Sequence, residues 1–84
     1  MNTFTLNVTS PDGTGFSGDA VMLTARGVEG ELAVMAGHIP FVTTVRAGKY
    51  KITLPDGEEI NGISSEGLLS VGEDKTVFLA GEME

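Results

Sequence analysis

Polar and apolar residues alternate from the start of the chain. Phe4, Leu6 and Val8 fall on one face of an extended run, with Thr5, Asn7 and Thr9 on the other. Successive side chains of a strand point to opposite faces, so this run predicts a half-buried antiparallel strand. Tyr50, Ile52 and Leu54 repeat the pattern against Lys49, Lys51 and Thr53. Pro55, Asp56 and Gly57 bring turn chemistry directly behind them, and Ile60 opens a return strand. Near the end of the chain, Val77 and Leu79 alternate with Thr76, Phe78 and Ala80 after a turn over 72–75, which predicts a strand partly covered on both faces. The runs 20–25, 31–35 and 41–46 are apolar on both sides or nearly so, as expected where two sheets face each other and a loop or partner covers the outside.

Glycine and proline punctuate the chain so often that, past the first ten residues, no interval between them exceeds eight residues. A globular helix wants a longer stretch with a period of 3.6, so the spacing favours strands. The expectation is an all-β fold, a two-sheet β-sandwich or flattened barrel built from many short strands. Its 84 residues suit a single domain over 1–84, with no linker, repeat or low-complexity tract.

Composition narrows what such a domain does. Twelve acidic against five basic residues give a formal charge of −7, which repels both nucleic acid and an anionic membrane surface. Neither nucleic-acid binding nor membrane insertion is expected. The absence of cysteine removes disulfides and thiolate metal sites, leaving stability to packing and to any partner. The first ten residues lack the basic start and apolar run of a signal peptide, so the sequon Asn7-Val8-Thr9 reads as chance.

Candidate chemistry is sparse. Gly13-Thr14-Gly15-Phe16-Ser17-Gly18 spells G-x-G-x-x-G, but a dinucleotide site needs those glycines to open a helix, and 19–26 reads as strand. A turn with a bulge is the expectation there. Gly48 and Lys49 lack the remainder of a phosphate loop. The single histidine, His38, excludes a His-pair metal site, and none of Ser10, Ser17, Ser64, Ser65 or Ser70 sits in a nucleophile elbow. A small hydrolase built on His38 is the weakest reading. Asp56, Glu58 and Glu59, like Glu73 and Asp74, lack calcium-loop spacing and read as solvated turns. No catalytic residue, cofactor or metal is expected.

What remains is 27–43, GVEGELAVMAGHIPFVT. A charged turn at 28–31 and a loop at 37–40 flank a short apolar run. Two such loops lie either at opposite edges of a sheet or, where bulges twist the strand, along one continuous rim.

This segment resembles the N-terminal β-sandwich domain of the epsilon subunit of F-type ATP synthases, called delta in mitochondria. Glu29-Gly30-Glu31-Leu32 followed by Gly37-His38-Ile39-Pro40 carries the resemblance most specifically. Pro11-Asp12-Gly13, Phe16-Ser17-Gly18, Gly27-Val28, Ala47-Gly48, Gly67 to Val71, Val77 and Leu79 extend it in order along the chain. The resemblance implies about ten strands in two sheets. It also implies a non-catalytic rotor part, packed against the gamma subunit and resting on the c-ring, that carries torque between them. Carried over by position, Glu29, Gly30 and Glu31 would meet the c-ring loops. His38, Ile39, Pro40, Phe41 and Val42 would lie near gamma and the rotor foot. Such a subunit sits peripherally on the cytoplasmic face of an energy-transducing membrane, most simply a bacterial one. Family members continue into a helical hairpin that restrains ATP hydrolysis and in some binds ATP. This chain ends at Glu84, so neither inhibition nor ATP binding is expected. Ser65, Glu66 and Ala36 depart from the usual pattern. The alternative is an independent β-sandwich protein-binding module that shares only the architecture.

Overall fold

A computed structural model describes residues 2–11, 13, 15–37, 39–73 and 75–82. Among them are nine strands and no helix: β1 (Phe4–Thr9), β2 (Gly15–Ala20), β3 (Met22–Gly27), β4 (Gly30–Met35), β5 (Phe41–Val45), β6 (Gly48–Thr53), β7 (Glu59–Ser64), β8 (Gly67–Val71) and β9 (Lys75–Ala80). One sheet has the order β2-β1-β9-β8-β5 and the other β4-β3-β6-β7, so the fold is the all-β sandwich that the alternation predicts.

The two sheets close on a shared core. Leu6, Leu69, Val45 and Phe78 come from the first sheet, and Leu23, Val34 and Ile52 from the second; all are fully buried. Phe78 on β9 meets Tyr50 on β6 edge to face, with ring centroids 5.9 Å apart and planes at 86°. This geometry sets the positive rim of one ring against the negative face of the other and ties the sheets together. On β9 the inward residues Thr76, Phe78 and Ala80 are buried, while outward Val77 is half-buried and Leu79 is exposed.

The predicted hairpin at 50–60 is present. β6 and β7 pair with Ile52 opposite Ile60. Asp56 organises the turn by accepting a hydrogen bond from the Glu58 backbone N–H at 2.9 Å. The Leu54 N–H donates to Glu58 O at 2.8 Å, closing the loop.

Three expectations are corrected. β1 is antiparallel to β2 but parallel to β9, with Thr5 opposite Lys75 and Thr9 opposite Leu79. A parallel partner needs a long crossover, and here everything from β2 to β8 supplies it, which no local alternation reveals. The apolar run 20–25 is two strands in different sheets: β2 ends at Ala20, and the chain turns at Val21, whose N–H donates to Thr53 O of the second sheet at 2.8 Å. An uninterrupted apolar run carries no period to mark such a corner. Finally, Gly13 closes a turn by donating to Ser10 O at 3.0 Å, but the β1–β2 register runs unbroken from Thr9 opposite Gly15 to Phe4 opposite Ala20. The glycines of 13–18 therefore make a hairpin without a bulge, and the third lies inside a strand rather than at a helix start.

Candidate functional site: two contact patches

The first patch is the β3–β4 hairpin. Gly27 pairs with Gly30, leaving Val28 and Glu29 as a two-residue loop. The turn depends on these glycines. A Cβ on Gly27 would stand 2.8 Å from Gly30 O and 2.9 Å from Leu32 Cδ2. Gly30 holds φ 129°, a conformation L side chains rarely adopt. The tight loop thrusts Glu29, Gly30 and Glu31 into solvent, with Val28 half exposed beside them. Neither glutamate makes an ion pair among the described residues; the ion pair they contain joins Lys51 to Glu59 at 3.5 Å.

The second patch follows β4. Ile39 is 79 % exposed and Val42 65 %, while Phe41 turns inward against the core. Pro40 is exposed, and His38 lies outside the described residues. β5 is the edge of the five-stranded sheet, so its alternate residues Val42 and Thr44 stand on the outer face. Register continues that face across the sheet: Val42 lies opposite Ser70, Ser70 opposite Val77, and Leu68 opposite both Thr44 and Leu79. These six residues carry no charge. Leu68 and Leu79 are each more than two-fifths exposed. The extension onto Leu68, Val77 and Leu79 was missed in the sequence, although leucine and valine on the solvent side of the alternation in 67–71 and 75–80 are its signal.

The segments 29–31 and 39–42 follow opposite ends of β4 in the chain. β3 and β4 pair without interruption from Gly27–Gly30 to Met22–Met35, so no bulge bends the strand between them. β4 itself is about 17 Å long at about 3.3 Å per residue. The outer face of β5 runs on from Val42 to Thr44, which lines one cleft with Val28 of the hairpin.

An exposed acidic loop and an apolar edge strand on a β-sandwich are the surface features of a protein-contact class of domain. Comparison with known proteins makes the class specific. The family model for the ATP synthase delta/epsilon chain, beta-sandwich domain, matches residues 3–84, and the chain belongs to this family. It is 40 % identical over 80 residues to the ATP synthase epsilon chain of an Exiguobacterium species, covering 95 % of this chain and 59 % of that one. It is likewise 40 % identical over 82 residues to the sodium ion specific ATP synthase epsilon chain of Propionigenium modestum, covering 98 % and 59 %. The chain thus spans about six-tenths of the length of these relatives. Its fold matches a chain of the Euglena gracilis mitochondrial ATP synthase with a TM-score of 0.89 at 22 % identity, over 98 % of this chain and 52 % of that one. A chain in the central stalk and c-ring structure of the Tetrahymena thermophila mitochondrial ATP synthase matches at 0.83 and 13 % identity, over 99 % and 66 %. The relatives matched are epsilon chains, a non-catalytic subunit of ATP synthase.

Proposed function

We propose that this chain is a central-stalk part of an F-type ATP synthase that couples the membrane c-ring to the gamma subunit and passes torque between them without bond chemistry. The observation that carries this reading is the family match across 3–84. The two exposed segments that follow opposite ends of β4 support it, because a coupling piece needs more than one contact surface. Glu29, Gly30 and Glu31 face basic groups on the c-ring loops. Acid against base at a polar contact supplies orientation and on-rate more than affinity. Ile39, Pro40 and Val42 face gamma, where exposed apolar side chains act as anchors, and Phe41 seats the segment on the core. The domain is peripheral, held on the cytoplasmic face of the membrane through the complex.

Glu31→Lys tests the reading in vesicles reconstituted with the assembled synthase. Ring docking is expected to weaken and to lose part of its salt sensitivity, and ion pumping to uncouple from hydrolysis. Unchanged coupling would overturn the assignment of this loop to the ring. Failure to co-purify with a gamma-like shaft subunit would favour the independent binding module instead.

A further inference from the structure

The acidic hairpin leaves its sheet partway along. β3 pairs with β6 only from Met22 opposite Thr53 to Thr24 opposite Lys51, whereas its register with β4 runs on to Gly27 opposite Gly30. β4 is the edge of that sheet, so past Thr24 the hairpin has no further strand paired to it. Ala25 and Leu32, opposite each other at its base, still reach the core. Beyond them 26–31 is a two-stranded arm, and a hairpin of two strands by itself is marginally stable in water. Outside the strand pairings, and among the described residues, the backbone hydrogen bond that ties this arm to the rest of the molecule comes from Arg46. Its N–H, just past β5, donates to Arg26 O at 2.7 Å. The Arg26 side chain adds a second hold by lying across the bare backbone of Gly48, where a Cβ would stand 3.1 Å from its Cδ. Open clefts adjoin the arm. One of about 480 Å³ lies between Val28 and the chain from Thr44 to Ala47. Another of about 390 Å³ lies between Glu31 and the start of β6 at Gly48 and Lys49.

We infer that 26–31 is a hinged contact arm that pivots at Ala25 and Leu32, and that Arg46, through its backbone N–H, and Arg26 are the positioning residues that clasp its acidic tip in one pose. With the clasp released, the arm is anchored through its pivot alone and swings into space that the clefts already provide. A contact loop held in one pose loses less freedom on docking than a loose one, which the partner must first order. Arg46 directly follows β5, so the clasp also joins the base of the acidic hairpin to the strand that carries Phe41 and Val42. A load on either segment then reaches the other along a short path of backbone. The hinge is a property of this chain alone, and its bearing on ring contact rests on the stalk reading.

The test is amide hydrogen exchange of the whole chain, followed residue by residue by NMR. Arg46→Pro removes the donor. A synthetic chain with an ester in place of the Val45–Arg46 amide removes it too and keeps the arginine side chain, which covers the case in which the proline variant does not fold. Arg46→Ala keeps the N–H. Exchange across 26–31 is expected to quicken about fivefold in the first two chains, the worth of one net backbone hydrogen bond. Ile52 and Ile60, paired in β6 and β7, should exchange as before, and Arg46→Ala should match the parent. A parental rate across 26–31 in the ester chain would overturn the clasp. Equal quickening at Ile52 and Ile60 would overturn the hinge, since the sandwich would then be opening as a whole. Equal loosening in Arg46→Ala would overturn the assignment to the backbone N–H. Reconstituted synthase separates the hinge from the stalk reading. If the arm loosens while both the ester chain and Glu31→Lys couple normally, the ring assignment fails and the hinge stands. If Glu31→Lys uncouples while the ester chain couples normally, the positioning role is overturned.

Discussion

At the scale of single residues, the glycines divide into those that mark turns and those that make room. Gly67 belongs to the second kind. It opens β8 opposite Ala80, and a Cβ there would run into the carbonyl oxygen of Leu79 and stand 3.0 Å from its carbonyl carbon. That neighbour is backbone within a paired strand and has little freedom to move. Gly67→Ala is therefore expected to cost about 1–3 kcal/mol, the usual range for overpacking. Urea unfolding checks this as a lower midpoint with an unchanged slope; an unchanged midpoint would mean that the β8–β9 pair relaxes freely. In the sequence Gly67 looks like any other glycine, because the atoms it must clear lie twelve or more residues away. The charged turn was legible at Glu29, since Gly27 and Gly30 bracket it locally, with Glu31 directly after the second glycine.

At the scale of elements, the alternation in β1 and β6 was enough to assign their inner faces, because strand period is a property of neighbouring residues, whereas β9 read as partly covered on both faces and only packing chose Thr76, Phe78 and Ala80 as the inner set. The run that became β5 was harder. Its apolar residues on both sides predicted a cover on its outer face, and among the described residues that face is open at Val42. Val42→Glu separates folding from docking. The side chain already faces solvent, so stability is expected to move by no more than about 0.5 kcal/mol. Co-purification with gamma, in contrast, should fall sharply, because a charge would be buried without a partner at an apolar contact. A variant that melts early would show that Val42 serves the sandwich; one that retains gamma would remove β5 from that interface.

At the scale of the whole molecule, charge and shape act together. A body of 30 × 23 × 20 Å carries a formal charge of −7. At about 10 mM salt the Debye length is about 30 Å, so repulsion is felt across the entire domain; at about 150 mM it falls to about 8 Å. Thermal unfolding is expected to move up by roughly 4 °C between these conditions, equivalent to roughly 0.5–1 kcal/mol. A flat or falling Tm would mean that close opposite-charge contacts outweigh the net repulsion. The sequence by itself determined the all-β class, the inner faces of the clearly alternating strands and the exposed character of both loops, since period, turn chemistry and charge are written in adjacent residues. Tertiary structure alone decided that β1 would lie parallel to β9, that 20–25 would turn a corner between sheets, and that the outer face of β5 would continue across β8 onto β9. Those outcomes depend on which distant strands pair and in what register, and pairing is settled by burial of the shared core rather than by any local pattern.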